Sequence, residues 1–312
     1  MLLACDIGGT NTRLALGEFL EGRPILRKEA LYPTKDLTDL GPLLISFLKE
    51  EPITGVSIAL AGPVEGTQGH LTNHSLSMDA TRLTQELPGR PPVLLHNDLE
   101  AFAAGVSILD PSAFIPLREG RSDSKAPKVL LVPGTGLGEA LLIEGKPWPS
   151  EGAHGDYGPR SDEEIGLWRF LSKRYGHVSY ERILSGPGLS DLHQFQSGEM
   201  VRRTPEEILG GALDGSSPTS LRAVDLFLSI LGGEAGNLAL KAGARGGILL
   251  GGSLLNALRP FFSRDSFTSG YLDKGRFRKW LEKIPIHLIE EPKVALLGAL
   301  VLYEANDMAM GR

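Results

Sequence analysis

Residues 2–16 read LLACDIGGTNTRLAL. Two short apolar runs, 2–5 and 13–16, flank the turn Asp6-Ile7-Gly8-Gly9-Thr10-Asn11-Thr12, so the pattern predicts a β-hairpin. A carboxylate ends the first strand, and the glycines let backbone N–H groups face an anion. The turn leads to a strand and no Gly-Lys-Ser/Thr follows, which excludes a Walker A loop and a Rossmann fingerprint. A phosphate-binding turn and an ordinary glycine-rich hairpin both stay open.

A second hairpin of the same kind begins near residue 128. The strand KVLLV leads through Pro133-Gly134-Thr135-Gly136-Leu137-Gly138 into EALLI. Two similar turns at matching places are stronger evidence for phosphate binding than one. They could hold a polyphosphate from opposite sides, in the crevice where ligands of α/β proteins usually lie.

Outward from the two hairpins, short apolar runs alternate with helical patterns, as in α/β proteins. The first hairpin is followed by a third strand at 24–31, a helix whose N-cap is expected near Asp36, strands at 55–60 and 92–96, and a helix at 99–108. The second is followed by a mostly helical insertion at 162–244, strands at 247–250 and 284–289, and helices at 254–262 and 294–303. The order βββαβαβα therefore occurs twice, and we expect two lobes with an interdomain cleft. The predicted division is a small α/β lobe of residues 1–107 plus 296–312 and a larger lobe of residues 108–295.

The composition excludes several classes of protein. The 312 residues include 32 Lys+Arg and 38 Asp+Glu, a formal charge of −6, which gives no electrostatic footprint for nucleic acid or an anionic membrane. A single cysteine, Cys5, excludes an internal disulfide and a cysteine-cluster zinc site. The few apolar residues before Asp6 are too short for a signal peptide or anchor. Nor does any other stretch approach about 18 uninterrupted apolar residues. We therefore expect a cytoplasmic protein without nucleic-acid or membrane partners.

Asn97-Asp98 stands between the strand PPVLLH and the helix LEAFAAGV. Asp98 has two interpretations. It is either the N-cap of the helix or a general base that accepts the proton of an attacking hydroxyl. The pattern alone leaves both open.

Three further segments carry polar or glycine-rich signals. Glu151-Gly152-Ala153-His154 is flanked by glycines, so its polar side chains are expected to face a ligand, and carboxylates suit sugar hydroxyls. The other histidines show no metal spacing, which disfavours zinc at His154. Glu181 by itself indicates a solvated helix residue. Gly251-Gly252 opens from a buried strand into a helix, either as a tight turn or as bare backbone against a flat base such as adenine.

These motifs, in this order, resemble the sugar kinase, actin and heat-shock ATPase superfamily. Within it, the chain is similar to the bacterial-type glucokinase family over nearly its whole length. The resemblance rests on blocks that include DIGGTNTRLAL at 6–16, LTNHS at 71–75, NDLEAFAAG at 97–105, PGTGLGEALL at 133–142, EGAHGDYGP at 151–159 and GHVSYERILSGPGL at 176–189. It implies the duplicated ribonuclease H-like, actin-like ATPase fold.

The resemblance also implies a function for each motif. Asp98 would be the catalytic base of an ATP:glucose 6-phosphotransferase that uses Mg²⁺. The sugar hydroxyls would be held by Asn97, Asp98, Glu151, His154 and Glu181. The nucleotide would be held by Asp6, Gly8, Gly9, Thr10, Asn11, Gly134, Thr135, Gly136, Gly138, Gly251 and Gly252, with Asp6 near Mg²⁺ through water. Pro133 departs from the small residue common in the family and removes one N–H.

Alternatives remain at this stage. One is a kinase for another hexose, such as mannose or glucosamine, and another is a non-catalytic sugar sensor. The related repressor–kinase branch is disfavoured because no cysteine motif follows His154 and because the first strand begins at residue 2, which leaves no room for a preceding DNA-binding motif. We expect glucose and ATP as partners, and a homodimer.

Overall fold

The computed structural model describes residues 1–72 and 74–309. In chain order the strands are β1 Leu2–Ile7, β2 Asn11–Leu20, β3 Arg23–Pro33, β4 Gly55–Leu60, β5 Val64–Glu65, β6 Gln68–His70, β7 Ser77–Asp79, β8 Val93–Asn97, β9 Phe114–Arg118, β10 Lys128–Pro133, β11 Leu137–Ile143, β12 Lys146–Ser150, β13 Gly247–Leu250 and β14 Ile286–Ile289. The α-helices are α1 Leu40–Leu48, α2 Ala80–Glu86, α3 Asp98–Val106, α4 Asp162–Tyr175, α5 Gly186–Ser197, α6 Pro205–Leu213, α7 Pro218–Ala242, α8 Ser253–Leu258, α9 Ser266–Leu272, α10 Arg278–Leu281 and α11 Val294–Ala309.

The chain forms two compact units. Unit 1 comprises residues 1–110, 145–147 and 291–312, and unit 2 comprises residues 111–144 and 148–290. The domain division predicted from the sequence, 1–107 with 296–312 and 108–295, stays a prediction, and its residues 310–312 lie outside the described residues.

Unit 1 is built on a five-stranded sheet in the order β3-β2-β1-β4-β8. The first three strands are antiparallel, whereas β1, β4 and β8 run parallel. Strands β1 and β4 are almost wholly buried, because helices cover both faces. Helix α11 packs closely on α3, where Gly105 and Gly298 leave room for the other helix's backbone.

Unit 2 repeats this topology with one added strand. Its sheet has the order β12-β11-β10-β13-β14-β9, in which β10, β13 and β14 are parallel. The strand order 3-2-1-4-5 in each unit is that of the duplicated fold expected from the sequence. The insertion is helical as predicted and forms α4 to α7. Gly232 of α7 lets the backbone of α9 approach at Phe267.

Two helix predictions were wrong in detail. The N-cap expected near Asp36 is Asp39, whose carboxylate accepts from the Gly41 N–H, while 34–36 form a 3₁₀ turn. The helix predicted over 254–262 is α-helical only to Leu258 and continues as a 3₁₀ helix over Arg259–Ser263.

Helix α7 is the one candidate among the described residues that is long and apolar enough to cross a membrane. Within the protein, 78% of its apolar window is buried. That degree of burial is what a core helix shows, and α7 contributes buried residues to the main hydrophobic cluster of unit 2.

Candidate active site

The first glycine-rich turn, Gly8–Asn11, joins β1 to β2 in unit 1. The Gly8 N–H donates to the Asn11 carbonyl at 2.9 Å, which closes the turn. Thr34 holds it from outside, because its hydroxyl donates to the Gly8 carbonyl at 2.7 Å and its N–H donates to the Thr10 carbonyl at 2.9 Å. The Gly8 amide is therefore already bonded within the turn.

Asp6 lies near the carboxyl end of β1. Its side chain is 17% exposed, and an oxygen lies 3.6 Å from the Arg13 guanidinium. Burial raises the pKa of Asp6, and the charge of Arg13 opposes this. Mg²⁺ is commonly held by one or two carboxylates, with water and substrate phosphates completing its shell. A single carboxylate beside a phosphate turn fits that mode, and no cluster of three or more His, Cys, Asp or Glu in residues 1–72 and 74–309 could hold a metal by itself.

Asn97 and Asp98 lie where β8 passes into α3, and the structure separates their roles. Asn97 is the N-cap, because its side-chain oxygen accepts from the N–H groups of Leu99 at 2.9 Å and Glu100 at 3.4 Å. Its amide donates to the carbonyl of Gly62 at 3.2 Å. Asp98 is the first helical residue, and its carboxylate also accepts from the Leu99 N–H. The capping role considered for Asp98 therefore belongs to Asn97.

His96 lies immediately before this pair and is 6% exposed. Burial lowers its pKa to about 4, so the ring is neutral at physiological pH. Its Nδ1 is 3.9 Å from the Glu100 carboxylate. A buried, neutral imidazole in β8 thus immediately precedes the two candidate site residues.

In unit 2, the second glycine-rich turn joins β10 to β11. The Gly134 N–H donates to the Gly136 carbonyl at 2.7 Å, and the Gly134 carbonyl accepts from the Gly186 N–H at 2.8 Å. Gly186 is the first residue of α5, whose N-cap is Ser185. Sequence reasoning did not place the start of this helix at the phosphate turn. The signal was the run LSGPGL, in which serine precedes a proline near the helix start.

The Gly251-Gly252 turn follows β13, which is parallel to β10. Gly252 has φ 94° and is the N-cap of α8, so this position needs glycine. A Cβ on Gly252 would lie 3.0 Å from the Pro133 carbonyl oxygen. The turn expected near adenine and the second phosphate turn are therefore neighbours at the carboxyl ends of parallel strands, where nucleotides bind in α/β proteins.

Glu151, His154 and Glu181 come together in unit 2. His154 Nε2 lies 3.6 Å from a Glu151 oxygen, and its Nδ1 lies 3.8 Å from Glu181 Oε1. The Glu181 N–H donates to the Ala153 carbonyl at 3.0 Å, which ties the two segments together. The exposed fractions are 89% for Glu151, 58% for His154 and 28% for Glu181. Two carboxylates and an imidazole are thus accessible to a polyhydroxylated ligand.

Glu181 also contacts the second phosphate turn. Its Oε2 accepts from the Leu137 N–H at 3.3 Å. A Cβ on Gly136 would lie 2.5 Å from the same oxygen. The Glu181 carboxylate, which is suited to sugar hydroxyls, therefore also contacts a turn that is suited to phosphate.

The structure brings the predicted residues together in two sets, one in each unit. The set in unit 1 contains Asp6, the turn 8–11, Asn97 and Asp98, all near the carboxyl ends of β1 and β8. The set in unit 2 contains Gly134, Thr135, Gly136, Gly138, Glu151, His154, Glu181, Gly251 and Gly252. The chemistry of unit 2 suits a sugar beside a nucleotide, and that of unit 1 supplies a carboxylate at a helix start.

The chain is similar to known proteins over nearly its whole length. The family model described as Glucokinase matches residues 3–306. A curated relative named Glucokinase, from Photorhabdus laumondii, is 34% identical over 307 residues, which cover 95% of each chain. A crystal structure of a glucokinase from an Antarctic psychrotroph has a TM-score of 0.84 and 26% identity, covering 97% of this chain and 98% of that one. A glucokinase from Balamuthia mandrillaris in complex with glucose has a TM-score of 0.81 and 24% identity, covering 96% and 92%.

Proposed function

The chain belongs to the glucokinase family, and from that premise we propose that it is an enzyme that transfers the γ-phosphoryl group of ATP to O6 of glucose. The products are glucose 6-phosphate and ADP. The observation that carries the proposal is the bond between Glu181 and the Leu137 N–H, since it puts acceptors for sugar hydroxyls next to a phosphate turn. Direct transfer needs that proximity, because the attacking oxygen must lie close to phosphorus and in line with the leaving oxygen.

Asp98 acts as the catalytic base in this proposal. A glucose hydroxyl attacking phosphorus must lose its proton, and a carboxylate within hydrogen-bond reach accepts it. One observation supports this role: the N-cap of α3 is Asn97 and not Asp98. Asn97, Glu151, His154 and Glu181 orient the sugar through its hydroxyls.

The two glycine-rich turns stabilise the charge on the transferring phosphoryl group through backbone N–H groups. Such preorganised donors act where charge develops in the transition state. Mg²⁺, held by Asp6 through water, would neutralise phosphate charge when bound. Bare backbone at Gly251-Gly252 accommodates the adenine. The cytoplasmic location, the homodimer and the absence of nucleic-acid and membrane partners stay predictions.

A coupled assay of purified protein with MgATP and a panel of hexoses tests the proposal. We expect glucose to give the highest kcat/KM. A preference of several hundredfold for mannose or glucosamine would instead make the chain a kinase for that hexose. Glucose binding without phosphoryl transfer would identify a sugar sensor. Removal of Mg²⁺ with EDTA should abolish turnover.

A further inference from the structure

Glu139 of β11 is a buried acid without a hydrogen-bond partner. Its side chain is 1% exposed, and neither carboxylate oxygen has a partner among the described residues. Leaving such a group buried as an unpaired anion is costly, so buried carboxyls are normally paired, bonded or protonated. None of the sequence motifs assigns this residue to nucleotide or sugar binding.

The groups that face Glu139 make a charge there less favourable. Burial is the larger cause and the negative charge of Glu234 the smaller; together they raise the pKa of Glu139 to about 8, and Lys241 opposes both. Glu234 of α7 is itself buried, and one of its oxygens accepts from the Asn237 amide at 2.7 Å. Lys241 Nζ lies 3.8 Å from the other Glu234 oxygen, so the lysine forms an ion pair with Glu234.

Two further titratable groups adjoin this cluster. The Tyr180 hydroxyl accepts from the Asn237 amide at 2.9 Å, and the Lys274 ammonium donates to the Asn237 side-chain oxygen at 2.6 Å. Both groups act on Glu234. Within this cluster both carboxylate oxygens of Glu139 lack a hydrogen-bond partner among the described residues, whereas Glu234 is hydrogen-bonded at one oxygen.

Glu139 also adjoins the segment that carries the candidate sugar ligands. A Cβ on Gly152 would lie 2.6 Å from Glu139 Oε2, so the backbone at Gly152 rests directly on the carboxyl group. Gly152 begins the 3₁₀ turn Gly152–His154 and follows Glu151. A change of charge or position at Glu139 acts on this backbone before it acts on any ligand.

We infer that Glu139 is a positioning residue: as an uncharged carboxylic acid under Gly152, it fixes the segment that holds glucose. Loss of its proton to solvent then weakens glucose binding. The inference rests on the proposed function for its ligand. Charging Glu139 puts a second anion beside Glu234 in the core of unit 2, and the segment above can relieve this by moving outward.

The pH dependence of the glucose KM tests the inference. Between pH 7 and pH 9 the wild type should show about a fivefold increase, a size typical of coupling between sites. Glu139→Gln replaces the protonated acid by a neutral side chain of the same shape, and should flatten this increase. Glu144→Gln, at an exposed position in the turn after β11, is the matched control and should keep the wild-type profile. Equal profiles in the wild type and Glu139→Gln would overturn the inference.

A second variant keeps the test decisive if Glu139→Gln fails to fold. Lys241 is 68% exposed and lowers the pKa of Glu139, so Lys241→Gln should shift the rise in glucose KM to higher pH. Lys173→Gln, on the exposed part of α4, is the control. A rise at unchanged pH in Lys241→Gln would contradict the role of Glu139.

A double-mutant cycle tests the contact itself. Gly152→Ala should raise the glucose KM, because its Cβ collides with the Glu139 carboxyl, and Glu139→Ala should relieve that increase. Additive effects would overturn the contact. The melting temperature as a function of pH reports the protonation of Glu139 without any substrate. If the protein is inactive on glucose but Glu139→Gln stabilises it at alkaline pH, the proposed function is refuted, whereas the assignment of Glu139 as a buried uncharged acid stands.

Discussion

The Oε2 atom of Glu181 accepts a hydrogen bond from the Leu137 N–H at 3.3 Å, which joins a proposed sugar ligand to the second glycine-rich turn. Substitutions in the turn should therefore affect the sugar. Gly136→Ala places a Cβ 2.5 Å from Glu181 Oε2 and must displace the carboxylate. We expect a glucose KM raised by about tenfold or more, since hydrogen bonds to charged groups contribute about 1.5–3 kcal/mol.

Gly134→Ala is the matched control, because its Cβ would meet nothing within 4 Å. Steady-state kinetics with glucose varied at saturating ATP should leave its glucose KM near the wild-type value. An equal increase of the glucose KM in both variants would show that the contact with Glu181 is not its cause.

Glu151 differs from Glu181 in that it is 89% exposed. Glu151→Gln replaces a charged acceptor by a weaker neutral one, so we expect a higher glucose KM with the KM for ATP nearly unchanged. Glu206→Gln, on the exposed first turn of α6, is the control. A change confined to the KM for ATP would refute the assignment of Glu151 to the sugar.

Much of the fold could be predicted from the sequence because its signals are local. Glycine-rich turns between short apolar strands predicted both hairpins, and helical spacing predicted the elements that follow. The cap at Asp39 could not be predicted, because Thr34 holds the 3₁₀ turn before it through long-range bonds. Its hydroxyl bonds to the Gly8 carbonyl and lies 3.0 Å from the Thr12 hydroxyl.

The residues of the candidate site come from the sequence and stay predictions, whereas the contacts among them could not be predicted. Asn97 rather than Asp98 is the cap because β8 pairs with β4 as far as Asn97, opposite Leu60. Nothing local distinguishes two adjacent polar residues for this role. Glu139 looks like an alternating strand residue in EALLI, and only the packing of unit 2 shows it to be buried without a partner.

Asp98→Ala should lower kcat by about 10²–10⁴, the usual contribution of a positioned general base. Because Asn97 is the cap, the variant should keep the capping hydrogen bonds of α3. Asp79→Ala provides the opposite control: Asp79 caps α2 by accepting from the N–H groups of Thr81 and Arg82, so its loss should lower the melting temperature without changing kcat. Turnover near wild type in Asp98→Ala would refute its role as the base.

The lowered pKa of His96 predicts how the free energy of unfolding changes at acidic pH. Its pKa is lowered to about 4 in the folded protein by burial, whereas an unfolded histidine titrates near 6.5. Between these values the unfolded chain binds the additional proton, so the free energy of unfolding falls as pH drops from about 6.5 to about 4. The stability lost over that range is of the order of 2–3 kcal/mol.

His96→Leu keeps a neutral side chain of similar size and should lose less stability on acidification. Melting temperatures at pH 7, 5.5 and 4.5 measure the difference, and His177→Gln, at a 60% exposed position, should follow the wild type. If the wild type and His96→Leu lose equal stability on acidification, the proton taken up on unfolding does not belong to His96.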